Sequence, residues 1–262
     1  MKRAASTETI GVLDWGIGGF GVVREILRRA PGQPILYFSD AGTTPYGLVP
    51  APALAARVAN AAAWFMSRGV ARLVIACNAA SSVVPRAPFP DGMTVQGVIV
   101  PGVELVRAAG LERIGLVGGR RTVRSGLHRR LLAPSGVQVH ARVAQPLSAF
   151  IEAGDHGSRE LRATLEAIVA PLRDEPAVLL ACTHYPAIAD RFREVLPRAA
   201  LLDPAPSVAE ALVGARVRSG AVDASRVDAT TSGDPRAMVR AAAAAFGVEI
   251  ARARRLRHDF SN

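Results

Sequence analysis

Short unbroken apolar runs alternate along the chain with longer amphipathic stretches. Runs of strand length occur at 9–13 (TIGVL), 34–38 (PILYF), 72–77 (RLVIAC), 95–100 (VQGVIV), 113–117 (RIGLV), 137–143 (VQVHARV), 177–182 (AVLLAC) and 199–202 (AALL). Helical patterns fill 19–30, 51–68, 102–109, 121–133, 157–173, 186–196, 205–219 and 235–246. Continuous rather than alternating hydrophobicity predicts strands buried on both faces, as in a parallel sheet covered by helices. Regular alternation of the two element types predicts an α/β fold. A helical bundle fits poorly, because the Val/Ile/Leu runs are short and bounded by Gly, Pro and Asp.

A weak internal echo refines this reading. TIGVLDWGIGG at 9–19 resembles RIGLVGGRRTV at 113–123, each a strand ending in a glycine-containing turn before a helix. The only two cysteines, Cys77 in VIACNAAS and Cys182 in LLACTHYP, follow the two copies by similar lengths of chain. The simplest organisation is two similar doubly wound α/β halves with parallel sheets, each contributing one cysteine.

Composition changes the picture modestly. The chain has 262 residues, half of them hydrophobic, which is enough for a full core in one large or two small domains. No apolar stretch approaches the roughly 20 residues of a membrane-spanning helix. Met1-Lys2-Arg3-Ala4-Ala5-Ser6 has a positive tip but no hydrophobic region behind it, so a secretory signal is not expected and the cytoplasm is. Two cysteines are too few for a disulfide framework or a zinc ribbon. The formal charge of +10 comes almost wholly from arginine, clustered at Arg120-Arg121 with Arg124, at Arg129-Arg130, and at Arg252, Arg254, Arg255 and Arg257. With no helix-turn-helix, no metal finger and few aromatics to stack bases, this reads as a solvated basic surface rather than a nucleic-acid interface. Such a surface also draws in anionic substrates.

The cysteines carry the candidate chemistry. Residues just past the carboxyl ends of parallel strands face the ligand crevice. Each cysteine sits there, before an expected helix start whose free N–H groups lower a thiol pKa. A single cysteine in this place reads as a small buried hydrophobe. Two in matching contexts, each with a hydrogen-bonding follower (Asn78, Thr183), point to function. If the halves face each other, a thiolate on one side of a cleft removes a proton from carbon while a thiol on the other side delivers one. That apparatus inverts a stereocentre.

With these motifs in place, the chain resembles the glutamate racemases of the cofactor-independent aspartate/glutamate racemase superfamily. The resemblance runs from about residue 10 to 247 and rests on GVLDWGIGGFGVVREI (11–26), YFSDAGTTPYG (37–47), LVIACNAAS (73–81) and GVIVPG (97–102), then IGLVGGRRTVRSG (114–126), LLACTHYP (179–186) and TSGDP (231–235). It implies two subdomains, 1–101 with 208–262 and an inserted 102–207, with the active site between them. It also implies catalysis without cofactor or metal on a small amino acid or related carboxylic acid, in a cytoplasmic route to peptidoglycan, by a family that often dimerises. Carried over position by position, Cys77 and Cys182 are the acid/base thiols, Asp14 lies near the first, and His184 assists the second with Glu152 paired to that side. Trp15, Pro45, Tyr46, Gly47, Asn78, Ala79 and Thr183 fall at substrate-binding positions. Plainer readings stay open: Asp14 as a helix cap, Glu152 as an exposed helix residue, His184 as a structural histidine. Gly16-Ile17-Gly18-Gly19 reads as a tight turn before a helix.

Departures from the pattern concern the substrate. Trp15 stands for a serine, Ala79 for a threonine, Val100 for a glutamate, Gly119 for a threonine and His128 for a tyrosine. Losing hydroxyl partners can cost a site up to about 10⁴ in discrimination for the group they served. Glutamate remains the first substrate expected. The alternatives are another small carboxylic acid, or a weakly active paralogue with a binding or regulatory role.

Overall fold

The computed structural model describes residues 8–218 and 222–256. Met1–Ser6, Arg257 of the basic tail and the end of the helix expected at 205–219 lie outside those ranges. Among the described residues ten strands form two sheets, and every strand pairing is parallel. They are β1 (Ile10–Asp14), β2 (Ile35–Ser39), β3 (Arg72–Ile75), β4 (Thr94–Gly97), β5 (Arg113–Gly118), β6 (Gln138–Val143), β7 (Ala177–Ala181), β8 (Ala200–Leu202), β9 (Val227–Thr231) and β10 (Ala253–Arg255). The first sheet has six strands in the order β10-β9-β2-β1-β3-β4 and the second has four in the order β6-β5-β7-β8. All residues of β1, β2 and β7 are buried, as their unbroken apolar runs require.

The strand order explains the sequence echo. β2-β1-β3-β4 and β6-β5-β7-β8 repeat one arrangement: the chain steps from the first strand of each set to one side, then crosses to the other. The crossing leaves a crevice at the carboxyl ends of β1 and β3 in one sheet and of β5 and β7 in the other, the position where open α/β sheets take ligands. Asp14 ends β1, and Cys77 and Cys182 follow β3 and β7 closely. One hydrophobic cluster runs through both halves, including Val12 and Ile26 from the first and Val178, Leu180 and Tyr185 from the second. The helix Ala205–Val213 packs on the helix Phe20–Arg29, and the chain then returns to the first sheet through β9 and β10.

Several elements differ from the expected ones. The run at 95–100 is a strand only to Gly97, because Val98 caps the helix Ile99–Ala108. The helix expected over 121–133 breaks at Gly126, whose φ of 65° is left-handed and favours glycine. Helix Gln145–Glu152 and strands β9 and β10 were not anticipated as elements. No helix among the described residues is long and apolar enough to cross a membrane.

Candidate active site

Cys77 caps the short helix Asn78–Ser81 and is 9% exposed, within a cluster that includes Leu13, Phe38 and Tyr46. The amides of Ala79 and Ala80 point at its sulfur and favour the thiolate, as the helix start predicts. Burial and the nearby Asp14 carboxylate outweigh them, so the thiol is pushed well above its ordinary value. The expectation of a lowered pKa fails here. Asp14 is fully buried: Oδ1 accepts from the Trp15 amide at 2.7 Å and Oδ2 accepts from the Thr183 hydroxyl at 3.0 Å. Burial raises its pKa against the pull of His184. Gly19, not Asp14, caps the following helix.

Cys182 follows β7 and is partly buried. It is followed by a 3₁₀ turn at Tyr185–Ile188 rather than by an α-helix start. Its Sγ lies 3.8 Å from His184 Nδ1, and His184 Nε2 lies 2.5 Å from Glu152 Oε1. The same carboxylate oxygen accepts from the Ile17 amide at 2.7 Å, so Glu152 holds both its own histidine and the loop after β1. Burial works against a charged ring, but the hydrogen bonds to Cys182 and Glu152 raise His184 well above its ordinary value. Gly16 and Gly18 make this contact between the halves: a Cβ on Gly16 would fall on the Glu152 carboxylate, and one on Gly18 would lie 2.5 Å from Thr183 Oγ1 and 2.8 Å from His184 Nδ1. Their role is close approach, beyond the tight turn read from sequence.

Both thiols open onto one cleft, with about 410 Å³ of empty space including its mouth. Of the expected residues, Trp15, Pro45, Tyr46, Gly47, Asn78, Ala79, Thr183 and His184 line it with the cysteines. Asp14 and Glu152 stand behind the lining and bond to it. The Tyr46 hydroxyl is directed to Asp40 at 2.8 Å and the Thr183 hydroxyl to Asp14, so neither donates freely to a ligand. Asn78 Oδ1 is buried without a partner, an acceptor awaiting a donor. Trp15 donates from Nε1 to the Thr43 carbonyl at 3.1 Å, and its ring centroid is 6.4 Å from that of His184.

Sequence reasoning did not assign Thr122, Gln145, Ser148 or Tyr185 to the lining, and treated Gly119 only as a departure. Val100 is 54% exposed and His128 is buried in a separate small cavity, so neither departure alters the cleft. No arginine or lysine among the described residues lines it. Among the described residues no group of three or more His, Cys, Asp and Glu converges as a metal site requires. A larger space of about 1090 Å³ lies at the opposite, amino ends of β1 and β2, bordered by Thr9, Pro34 and Arg226, away from both thiols.

The family described as Asp/Glu/Hydantoin racemase matches residues 10–212. A glutamate racemase of Beutenbergia cavernae is 32% identical over 94% of this chain and 91% of its own. The fold is similar to the glutamate racemase of Francisella tularensis solved with D-glutamate, at a TM-score of 0.82 and 22% identity over 95% of this chain and 97% of that one. It is also similar to the Thermus thermophilus glutamate racemase solved with beta-chloro-D-alanine, at a TM-score of 0.77 and 29% identity over the same shares, 95% and 97%.

Proposed function

The chain belongs to the Asp/Glu/hydantoin racemase family, and we propose that it is a cofactor-independent racemase that inverts the α-carbon of glutamate by proton transfer between Cys77 and Cys182. The observation that carries this reading is that two thiols, delivered by separate sheets, line one cleft. Residues 1–101 with 208–262 then act as one subdomain and 102–207 as the other, with substrate held between them.

Unequal surroundings give the thiols complementary resting roles. Cys77, buried beside Asp14, holds its proton. Cys182 has the His184 ring 3.8 Å from its sulfur, placed to pass a proton to or from it. A Cys182 thiolate takes the α-proton, and the C–H electron pair moves onto the substrate carboxylate. The Cys77 thiol then protonates the α-carbon from the opposite face, leaving the sulfurs with exchanged protonation. For the other enantiomer the transfer runs in reverse. Asn78 Oδ1, the unpaired acceptor, receives an N–H of the substrate ammonium. Asp14, Glu152 and His184 hold the charges in place.

Glutamate is favoured by the named relatives. Trp15 in the cleft wall favours a second reading, a bulkier or less polar acid. Incubation of the protein with L- and D-glutamate and a panel of other amino and hydroxy acids in D₂O tests both. Deuterium at the α-carbon of glutamate, with loss of optical activity, is expected. Exchange confined to another acid would replace the substrate, and no exchange with any acid would remove the two-thiol mechanism.

A further inference from the structure

The wall of the cleft contains a side chain to which proton transfer assigns nothing. Gln145 begins the helix that ends at Glu152. The Ala144 amide donates to the Gly118 carbonyl at 2.9 Å, which pins this helix start to the end of β5. The Arg120 amide donates to Gln145 Oε1 at 3.1 Å. A backbone amide only donates, so it fixes which end of the carboxamide is oxygen and leaves Nε2 as the other. Nε2 then carries two N–H donors with no acceptor among the described residues, on a residue that lines the cleft.

Two glycines make room for this group. A Cβ on Gly47 would collide with Gln145 Oε1 and lie 3.0 Å from Nε2, and one on Gly119 would lie 3.1 Å from Oε1. Gly119 is a position where the chain departs from the glutamate racemase pattern, so the carboxamide takes space that a β-branched residue would contest.

Position in the sheet sets the direction. The order β6-β5-β7 puts Gln145 two strands away from Cys182, across the crevice from the sulfur.

We propose that Gln145 determines the substrate side chain, donating from Nε2 to a carbonyl-type oxygen at the far end of that side chain: the terminal carboxylate of glutamate or the carboxamide of glutamine. The assignment rests on the racemase reading for which carbon lies at Cys182. A neutral donor accepts both groups, and substitution separates them. Gln145→Glu keeps the length and the acceptor for the Arg120 amide while replacing both donors with a charged acceptor. Gln145→Ala removes the group altogether.

Calorimetric titration of wild type and both variants with D-glutamate, D-glutamine and D-alanine tests it. Wild type is expected to bind at least one of the two longer ligands. Gln145→Glu should shift the ratio of dissociation constants toward glutamine by roughly 100-fold or more, because a repelled carboxylate is compared with an amide that can now donate. Gln145→Ala should weaken whichever longer ligand wild type binds about tenfold, with D-alanine, which stops short of Gln145, changing less than about twofold. An unchanged ratio in Gln145→Glu, an equal loss for D-alanine, or a wild type that binds neither longer ligand would overturn the assignment. A wild type that binds D-glutamate with the expected variant pattern yet exchanges no α-proton in D₂O supports Gln145 and removes the racemase reading.

Discussion

The surroundings of Cys77 and Cys182 invite comparison because their sequences look alike and their chemistry does not. Both follow a buried strand of the same strand arrangement. Cys77 is buried, touched by two helix amides and close to an unhelpful carboxylate, so it keeps its proton. Cys182 is less buried and has a histidine at 3.8 Å, itself braced by Glu152. A repeated strand–turn pattern thus delivers two sulfurs to equivalent places, and the side chains packed around them make their surroundings unequal. The charges cross between halves: Asp14 of the first receives Thr183 of the second, and Glu152 of the second receives the Ile17 amide of the first. Neither half holds a complete site.

Removing either sulfur is the largest way to break the comparison. Cys77→Ala and Cys182→Ala should each lower racemisation by at least 10²–10⁴-fold, the usual contribution of a direct acid or base. Their partial reactions should differ. Cys77→Ala keeps Cys182, His184 and Glu152 together and should retain α-proton exchange from one enantiomer in D₂O. Cys182→Ala leaves a thiol that holds its proton and should exchange more slowly. Equal residual exchange in the two variants would show that the asymmetry of their surroundings does not reach the chemistry.

Glu152→Gln addresses the Cys182 side alone. The neutral amide can still bond but no longer supports a cationic ring, so kcat should fall on the order of 10–10²-fold, less than for loss of a sulfur. Stability should report the same change. The pKa of His184 is raised in the folded state above its ordinary 6.5, so its contribution is fully present below about 6.5 and is lost as pH rises through the folded value. Urea denaturation should therefore find Glu152→Gln more costly at about pH 6 than in alkaline solution, the penalty shrinking as pH rises. A penalty independent of pH would mean that the ring is not held cationic by Glu152.

Much of this arrangement was legible in the sequence, for identifiable reasons. β1, β2, β3 and β7 are central strands, and burial on two faces forces the continuous apolar runs that mark them. β9 reads Val-Asp-Ala-Thr-Thr with Asp228 exposed, and β10 is a short edge strand with exposed arginines, so neither has an apolar run to find. Cys77, Cys182 and His184 were visible because each sits in a compact local motif at a strand end. Gln145 and Thr122 were not, since only strand order and loop packing bring them to the cleft. The reversed pKa direction at Cys77 has the same origin: the helix amides are local and legible, whereas burial and Asp14 arrive from elsewhere.

Trp15 gives the smallest effect and the finest test, because it touches both sides of the comparison. Its ring packs against the cluster that contains Cys77 and stands 6.4 Å from the His184 ring, while the bond from Nε1 to Thr43 keeps it there. It therefore lines the cleft rather than packing beneath the helix Phe20–Arg29. An indole offers an apolar wall and a single donor, and here that donor is already used. The cleft therefore lacks the hydroxyl that a serine would supply at this position, and Ala79 lacks a second. Trp15→Ser with Ala79→Thr should raise kcat/KM for glutamate about tenfold relative to acids with bulkier, less polar side chains, within the range that one pocket group confers. Wild-type turnover of glutamate near 10⁴ M⁻¹s⁻¹ or above, unimproved by the double substitution, would make Trp15 a neutral wall. Discrimination would then fall to the far end of the cleft, where Gln145 lies.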